Sequence, residues 1–129
     1  MCGITGIFGN LRKDELEASV HKMLSVLTHR GPDDSGIWTD NGIAFGHRRL
    51  SIMDLSSAGH QPMISPCKRF IIAFNGEIYN YPELRKKLIS KGHIFKTDGD
   101  TETLVHLYED YGSEMVNHLQ GMFAFAIWD

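Results

Sequence analysis

The chain has 129 residues, 42% of them hydrophobic and 22% charged, with a formal net charge of −3. That is enough for one globular domain burying roughly two-thirds of its unfolded surface. Acids and bases are interspersed, which leaves no basic footprint for nucleic acid, and no apolar run approaches the ~18 residues of a membrane span.

The N-terminus has no basic stretch followed by a long apolar core, so no export signal is legible. Cys2 and Cys67 form no CxxC pair. A reduced, cytoplasmic setting fits these features and keeps a Cys2 thiol available.

Residues 2–9, Cys-Gly-Ile-Thr-Gly-Ile-Phe-Gly, read as a glycine-rich apolar strand. Trimming of Met1 before a small second residue would leave Cys2 with a thiol and a free α-amine. An amine with a pKa of about 7.7–8.0 is partly neutral near pH 7 and can accept the proton of a thiol with a pKa of about 8.5. Position alone leaves a second reading open, a cysteine that merely starts a buried strand.

Asp14-Glu15-Leu16-Glu17 has the form of a capping box. Leu16, Val20, Met23, Leu24 and Leu27 then lay one apolar stripe on a helix. His29-Arg30-Gly31-Pro32-Asp33-Asp34-Ser35-Gly36 breaks it with turn formers. Short strands follow at 36–39 and 43–47 around the Asp40-Asn41-Gly42 hairpin signal. Residues 49–54 form a short extended segment leading into a long polar loop through Pro66.

Phe70 to Asn75 is a strand that Gly76 ends. Pro82 fits the first turn of a second helix carrying Leu84 and Leu88, with Gly92 past its end. Asp98-Gly99-Asp100 opens a third, with Leu104, Leu107, Tyr108 and Tyr111 on its apolar face. Residues 121–128 read as a buried strand or the first half of a hairpin, and the stop at Asp129 directly after it reads as a truncation. From the residues alone the class is α+β, with about three helices and five or more largely antiparallel strands.

Asn75-Gly76 can aim a side-chain amide and a main-chain N–H at one point, as an oxyanion hole requires; an ordinary Asn-Gly turn is the competing reading. Arg49 suits bidentate capture of a carboxylate, whereas Arg48 reads as a solvated cation. Of Asp98 and Asp100, one can cap a helix and the other receive an ammonium. The seven histidines show no metal-ligand spacing, His106 reads as a structural residue, and no HExxH, P-loop or GxGxxG motif occurs. No metal is expected.

The segments MCGITGIFG, HRGPDDSG, HRRLSIMD, GHQPM, FNGEIYN, TDGDTE and LQGMFAFAIWD, in that order, resemble the glutaminase domain of glutamine-hydrolysing asparagine synthetases. These are class II amidotransferases of the N-terminal-nucleophile hydrolase superfamily. The resemblance spans residues 1–129 as the N-terminal part of such a domain. It implies a four-layer αββα sandwich of mostly antiparallel sheets, incomplete at the C-terminus, with Cys2 at the start of an inner strand facing the end of the strand at 70–75.

Carried over by position, the resemblance makes Cys2 the nucleophile toward the side-chain amide of L-glutamine. The side chain of Asn75 and the N–H of Gly76 become the oxyanion hole. Arg49 takes the substrate carboxylate, Glu77 and Asp100 take its ammonium, and Leu50, Ser51, Ile52 and Met53 line the pocket. It implies no cofactor on these residues. ATP, magnesium and aspartate belong to a synthetase domain whose signature is absent here, and the parent enzyme forms a homodimer. Two other readings stay open: an amidotransferase with a different ammonia acceptor (a sugar or a peptide carboxylate), and a non-catalytic glutamine-binding module or remnant.

Overall fold

Strand parity organises the molecule. In the computed structural model, which describes residues 1–52 and 55–129, consecutive residues of each strand feed different cores. Along strand β3 (Ile43–Arg49), Ile43 and Phe45 enter one cluster while Ala44 enters another. Along β5 (Ile71–Ile78), Ile71 and Ala73 join Ile43 and Phe45, whereas Ile72, Phe74 and Ile78 face the opposite way. Such alternation is the period-2 geometry of a strand buried on both faces.

The result is four layers. Helix α1 (Lys13–Val26) sets Leu16, Val20 and Leu24 against Ala44, Ile7 and Ile37. Beneath it lies an antiparallel sheet in the order β1 (Gly3–Phe8), β3, β2 (Asp34–Asp40). A second antiparallel sheet has the order β4 (Met63–Ile64), β5, β6 (Gly121–Trp128). Helices α2 (Tyr81–Ser90) and α3 (Asp100–Tyr111) cover its outer face through Leu84, Leu88, Leu104, Val105 and Leu107. The third cluster lies between the sheets and adds Ile4, Trp38, Ala126 and Trp128. The α+β class and the αββα layering therefore hold.

Four expectations need correction. The capping acid is Glu15, whose carboxylate accepts the Arg12 N–H at 2.9 Å, so the helix starts two residues earlier than the Asp14 box implies. Gly76 does not end β5. The strand runs through it to Ile78, with Gly76 at φ +156° and paired to Phe123; a Cβ there would lie 2.3 Å from the Met122 carbonyl oxygen. Among the described residues β1 pairs only with β3, which makes it an edge strand and not the inner strand expected for Cys2. The loop before Pro66 also contains β4, too short for any period to register. No helix among the described residues is long and apolar enough to cross a membrane.

Candidate active site

One cavity of about 230 Å³ opens between the ends of the two sheets. It is smaller than the ~300–1,000 Å³ typical of drug-sized ligand sites, a size suited to a small metabolite. Of the residues picked out from sequence, Cys2, Arg49, Leu50, Ser51, Ile52, Gly76, Glu77 and Asp100 all line it. Asn75 does not. Its Oδ1 is buried without a hydrogen-bond partner, on the face of β5 that it shares with Ala73 and Glu77. Met53 lies outside the described residues.

Cys2 precedes β1, and register carries it to the end of β3, where Gly3 pairs with Arg48. Its Sγ receives the Leu50 N–H at 3.4 Å and faces the Leu50 carbonyl at 3.7 Å. From the single 3-10 turn after α1, Arg30 brackets the Cys2 carbonyl through Nε and Nη2, both at 3.3 Å. Asp33 fixes the next stretch of wall, donating its N–H to the Arg49 carbonyl at 3.0 Å and accepting the Ser51 N–H at 2.8 Å. Arg30 and Asp33 thus hold the backbone around the thiol; the sequence marked them only as turn residues.

Arg49 is buried, and its Nη1 donates to the Ser56 carbonyl at 2.7 Å. Gly59 makes room for it, since a Cβ at residue 59 would fall 2.2 Å from Arg49 Nη2. Arg48, one residue earlier, points to the α1 side and donates to Thr28 Oγ1. It is therefore not the freely solvated cation expected.

The acidic wall comes from the start of α3. Gly99 is the N-cap, Asp98 is exposed beside Arg85 at 3.5 Å, and Asp100 is the buried first helical residue. Asp100 Oδ2 accepts the Ile78 N–H at 3.0 Å. Burial raises its pKa above the ordinary carboxylate value; hydrogen bonds from Ile78 and from the helix-start amides oppose this, while the charge of Glu77 adds to it.

Several wall-forming residues escaped the sequence reading. Gln61 is buried and joins three parts of the structure, accepting the Phe74 N–H at 2.7 Å and donating to Thr101 Oγ1 at 3.2 Å. Glu102 accepts the N–H groups of Lys96 and Thr97 and the Thr97 hydroxyl, at 2.7–3.0 Å. That fixes the segment which brings Thr97 and Gly99 to the cavity. Buried His47 sets Nε2 3.0 Å from the Phe74 carbonyl, and burial pushes its pKa down to about 4. Its Nε2 therefore carries the proton and donates across the two sheets.

The cavity thus combines a thiol, a guanidinium and two carboxyls in a small space, a set matched to a zwitterion that also carries an electrophilic carbon. Comparison with known proteins points the same way. Residues 1–129 match the glutamine amidotransferase domain. The chain is 42% identical over 133 aligned positions to asparagine synthetase [glutamine-hydrolyzing] 3 of Bacillus subtilis (strain 168) and 44% identical over 132 to asparagine synthetase 1 of the same strain. It is 41% identical over 132 positions to asparagine synthetase 1 of Arabidopsis thaliana. All of this chain is covered in each case, but only 21–22% of the relative, so it spans about a fifth of their length.

Among solved structures, the allosteric regulatory enzyme of purine biosynthesis superposes with a TM-score of 0.81 at 24% identity, over 99% of this chain and 35% of that one. Glutamine phosphoribosylpyrophosphate amidotransferase from B. subtilis gives a TM-score of 0.78 at 23% identity, with the same coverage. At that identity the superpositions speak to fold, and they match the antiparallel α+β layering.

Proposed function

The chain belongs to the glutamine amidotransferase domain family, and from that premise we propose that its cavity hydrolyses glutamine with Cys2 as nucleophile. The observation that carries the reading is the convergence of Cys2, Arg49, Gly76, Glu77 and Asp100 on one cavity of about 230 Å³. Arg49 receives the substrate α-carboxylate, and Asp100 with Glu77 receives its ammonium. Those contacts leave the side-chain amide to reach the thiol.

Met1 also lines the cavity. Its removal would enlarge the site and expose the Cys2 α-amine, which takes the thiol proton as Sγ attacks the amide carbon. The tetrahedral oxyanion is held by the Gly76 N–H and by Asn75. The unpartnered Oδ1 of Asn75 means that no hydrogen bond accepted by that atom opposes turning of the amide toward the substrate. Collapse expels ammonia as the amine returns the proton, leaving a γ-glutamyl thioester, and water releases glutamate. The ammonia would serve the asparagine synthesis for which the relatives are named.

The test is glutamate release from glutamine by the purified full chain after Met1 removal, verified by intact mass. Cys2→Ala should lower kcat by a factor of ~10³ or more, as loss of a nucleophile does elsewhere. A preparation that keeps an uncleaved residue before Cys2 should be comparably inactive. Turnover that survives Cys2→Ala overturns the assignment.

A further inference from the structure

A second cluster of chemical groups lies away from the cavity, where the segment after α2 meets the C-terminal half of α3. Three ligand atoms converge there: His93 Nδ1, His106 Nδ1 and Glu109 Oε2. The two imidazole nitrogens are 3.1 Å apart, His106 Nδ1 is 2.8 Å from the Glu109 oxygen, and His93 Nδ1 is 3.5 Å from it. A tetrahedral zinc ion with Zn–N and Zn–O bonds of ~2.0–2.2 Å separates its ligand atoms by about 3.3–3.5 Å. Two sides of the observed triangle are within about 0.2 Å of that range, and the third, His106 Nδ1 to Glu109 Oε2 at 2.8 Å, is shorter and would open by about 0.5–0.7 Å on binding an ion. Sequence spacing hid the site, because only the fold returns His93 to the helix that carries the other two residues.

The surroundings are those of a ligand set. His93 Nε2 lies 2.9 Å from Asp110 Oδ1, a contact that, with the proton on Nε2, would leave Nδ1 to ligate an ion. Lys91 Nζ, 2.7 Å from Asp110 Oδ2, fixes that carboxylate in turn. Such a carboxylate behind a ligating imidazole is the usual outer support of a metal site.

His106 supplies an independent observation. The ring is 3% exposed, and its Nε2 is buried without a hydrogen-bond partner, 3.9 Å from Glu102 Oε1. With an ion on Nδ1, the His106 proton would occupy Nε2 and face Glu102, repeating the His93–Asp110 arrangement. Among the described residues, Glu102, Glu109 and Asp110 outnumber the nearby cations Lys91 and Arg85, the latter set over the Phe95 ring that packs on His106, and so favour a dication.

We propose that His93, His106 and Glu109 form a binding site for a divalent transition-metal ion, zinc fitting best, with the fourth position open to water. The ion would clip the α2–α3 connection to α3, the helix whose first residue, Asp100, lines the cavity. This site does not depend on the glutaminase reading.

The test loads the metal-free full chain with Zn2+ and then Co2+, measuring stoichiometry by equilibrium dialysis and coordination by absorption. One ion per chain is expected, with tetrahedral cobalt d–d bands and no thiolate charge-transfer band, together with a rise of a few degrees in Tm under excess Zn2+. His93→Gln and Glu109→Gln should each weaken binding more than 10-fold, and Asp110→Asn by about 10–100-fold. The wild-type cobalt spectrum decides the matter even if a variant folds poorly. Absence of stoichiometric binding, a thiolate band tracing the ion to Cys2 or Cys67, or undiminished affinity in both ligand variants would each overturn the proposal.

Discussion

Gly59→Ala isolates the role of Arg49 without touching it. The new Cβ would sit 2.2 Å from Arg49 Nη2 and 2.7 Å from its Cζ. Both atoms are at the far end of a flexible side chain, so the guanidinium yields before the backbone does. Ordinary contact begins near 3.4 Å, which asks the guanidinium to retreat by about 1 Å, and a misplacement of that size can cost ~10²-fold in turnover efficiency. The energetic equivalent, about 1.5–3 kcal/mol, is that of one charge-assisted hydrogen bond.

Because the contact is to the substrate carboxylate and not to the reacting amide, the loss should fall mainly on KM for glutamine, with kcat changed little. The fold should lose part of what Arg49 contributes through contacts that include the 2.7 Å bond to the Ser56 carbonyl, a few degrees of Tm. The assay is glutamate release from glutamine beside ammonia release from 4-aminobutanamide, which keeps the amine and amide but lacks the α-carboxylate. Wild type should handle the analogue poorly, and Gly59→Ala should handle it no worse. An equal loss on both substrates would refute the assignment of Arg49 to the carboxylate, as would an unchanged KM for glutamine.

Asp100→Asn keeps an oxygen to accept the Ile78 N–H but removes the charge offered to an ammonium. KM for glutamine should rise about 10–100-fold at pH 7, and steady-state kinetics showing no rise would exclude Asp100 from substrate binding. His47 makes stability depend on acid: the unfolded chain takes a proton as pH falls past 6.5, whereas the buried ring resists until about 4. Stability from this residue is complete above pH 6.5 and drains away toward pH 4, by about 3 kcal/mol. Urea titrations between those pH values should show the slope, and His47→Gln, which retains a donor for the Phe74 carbonyl, should flatten much of it; an unflattened slope would assign the effect to other groups.

What the sequence disclosed depended on whether a residue's partner was near in the chain. Leu16, Val20 and Leu24 announce α1 because helical spacing is local. Gly76 misled because a glycine inside a strand looks like one that ends it; the cause of its presence, the Met122 carbonyl 2.3 Å from a Cβ position, lies on another strand. Gln61 and Glu102 were silent for a similar reason. Both are buried polar residues satisfied by main-chain N–H groups, and composition cannot distinguish them from solvated ones. His93 and His106 meet only after the chain has left α2, turned and entered α3. Arg48 and Arg49 were both visible, but which faces the cavity depends on the parity of β3.

That parity also accounts for the position of the cavity. On the face of β3 turned toward the second sheet, the residues run Ile43, Phe45, His47, Arg49; on the matching face of β5 they run Ile71, Ala73, Asn75, Glu77. The first two of each series belong to the apolar cluster between the sheets, and each series turns polar toward the C-terminal end of its strand. Because β1 is antiparallel to β3, the same face of β1 begins with Cys2 at the end where Arg49 emerges and continues to Ile4 in the apolar cluster. The inter-sheet layer therefore changes from hydrocarbon to thiol, guanidinium and carboxylate along its length. His47 marks the border, tied across the layer to the Phe74 carbonyl. At that polar end Cys2, Arg49 and Glu77 line the cavity, which also reaches Phe74 and Gly76 on the opposite face of β5 and Asp100 at the start of α3, so the cavity that holds Cys2 begins where the apolar layer between the sheets gives out.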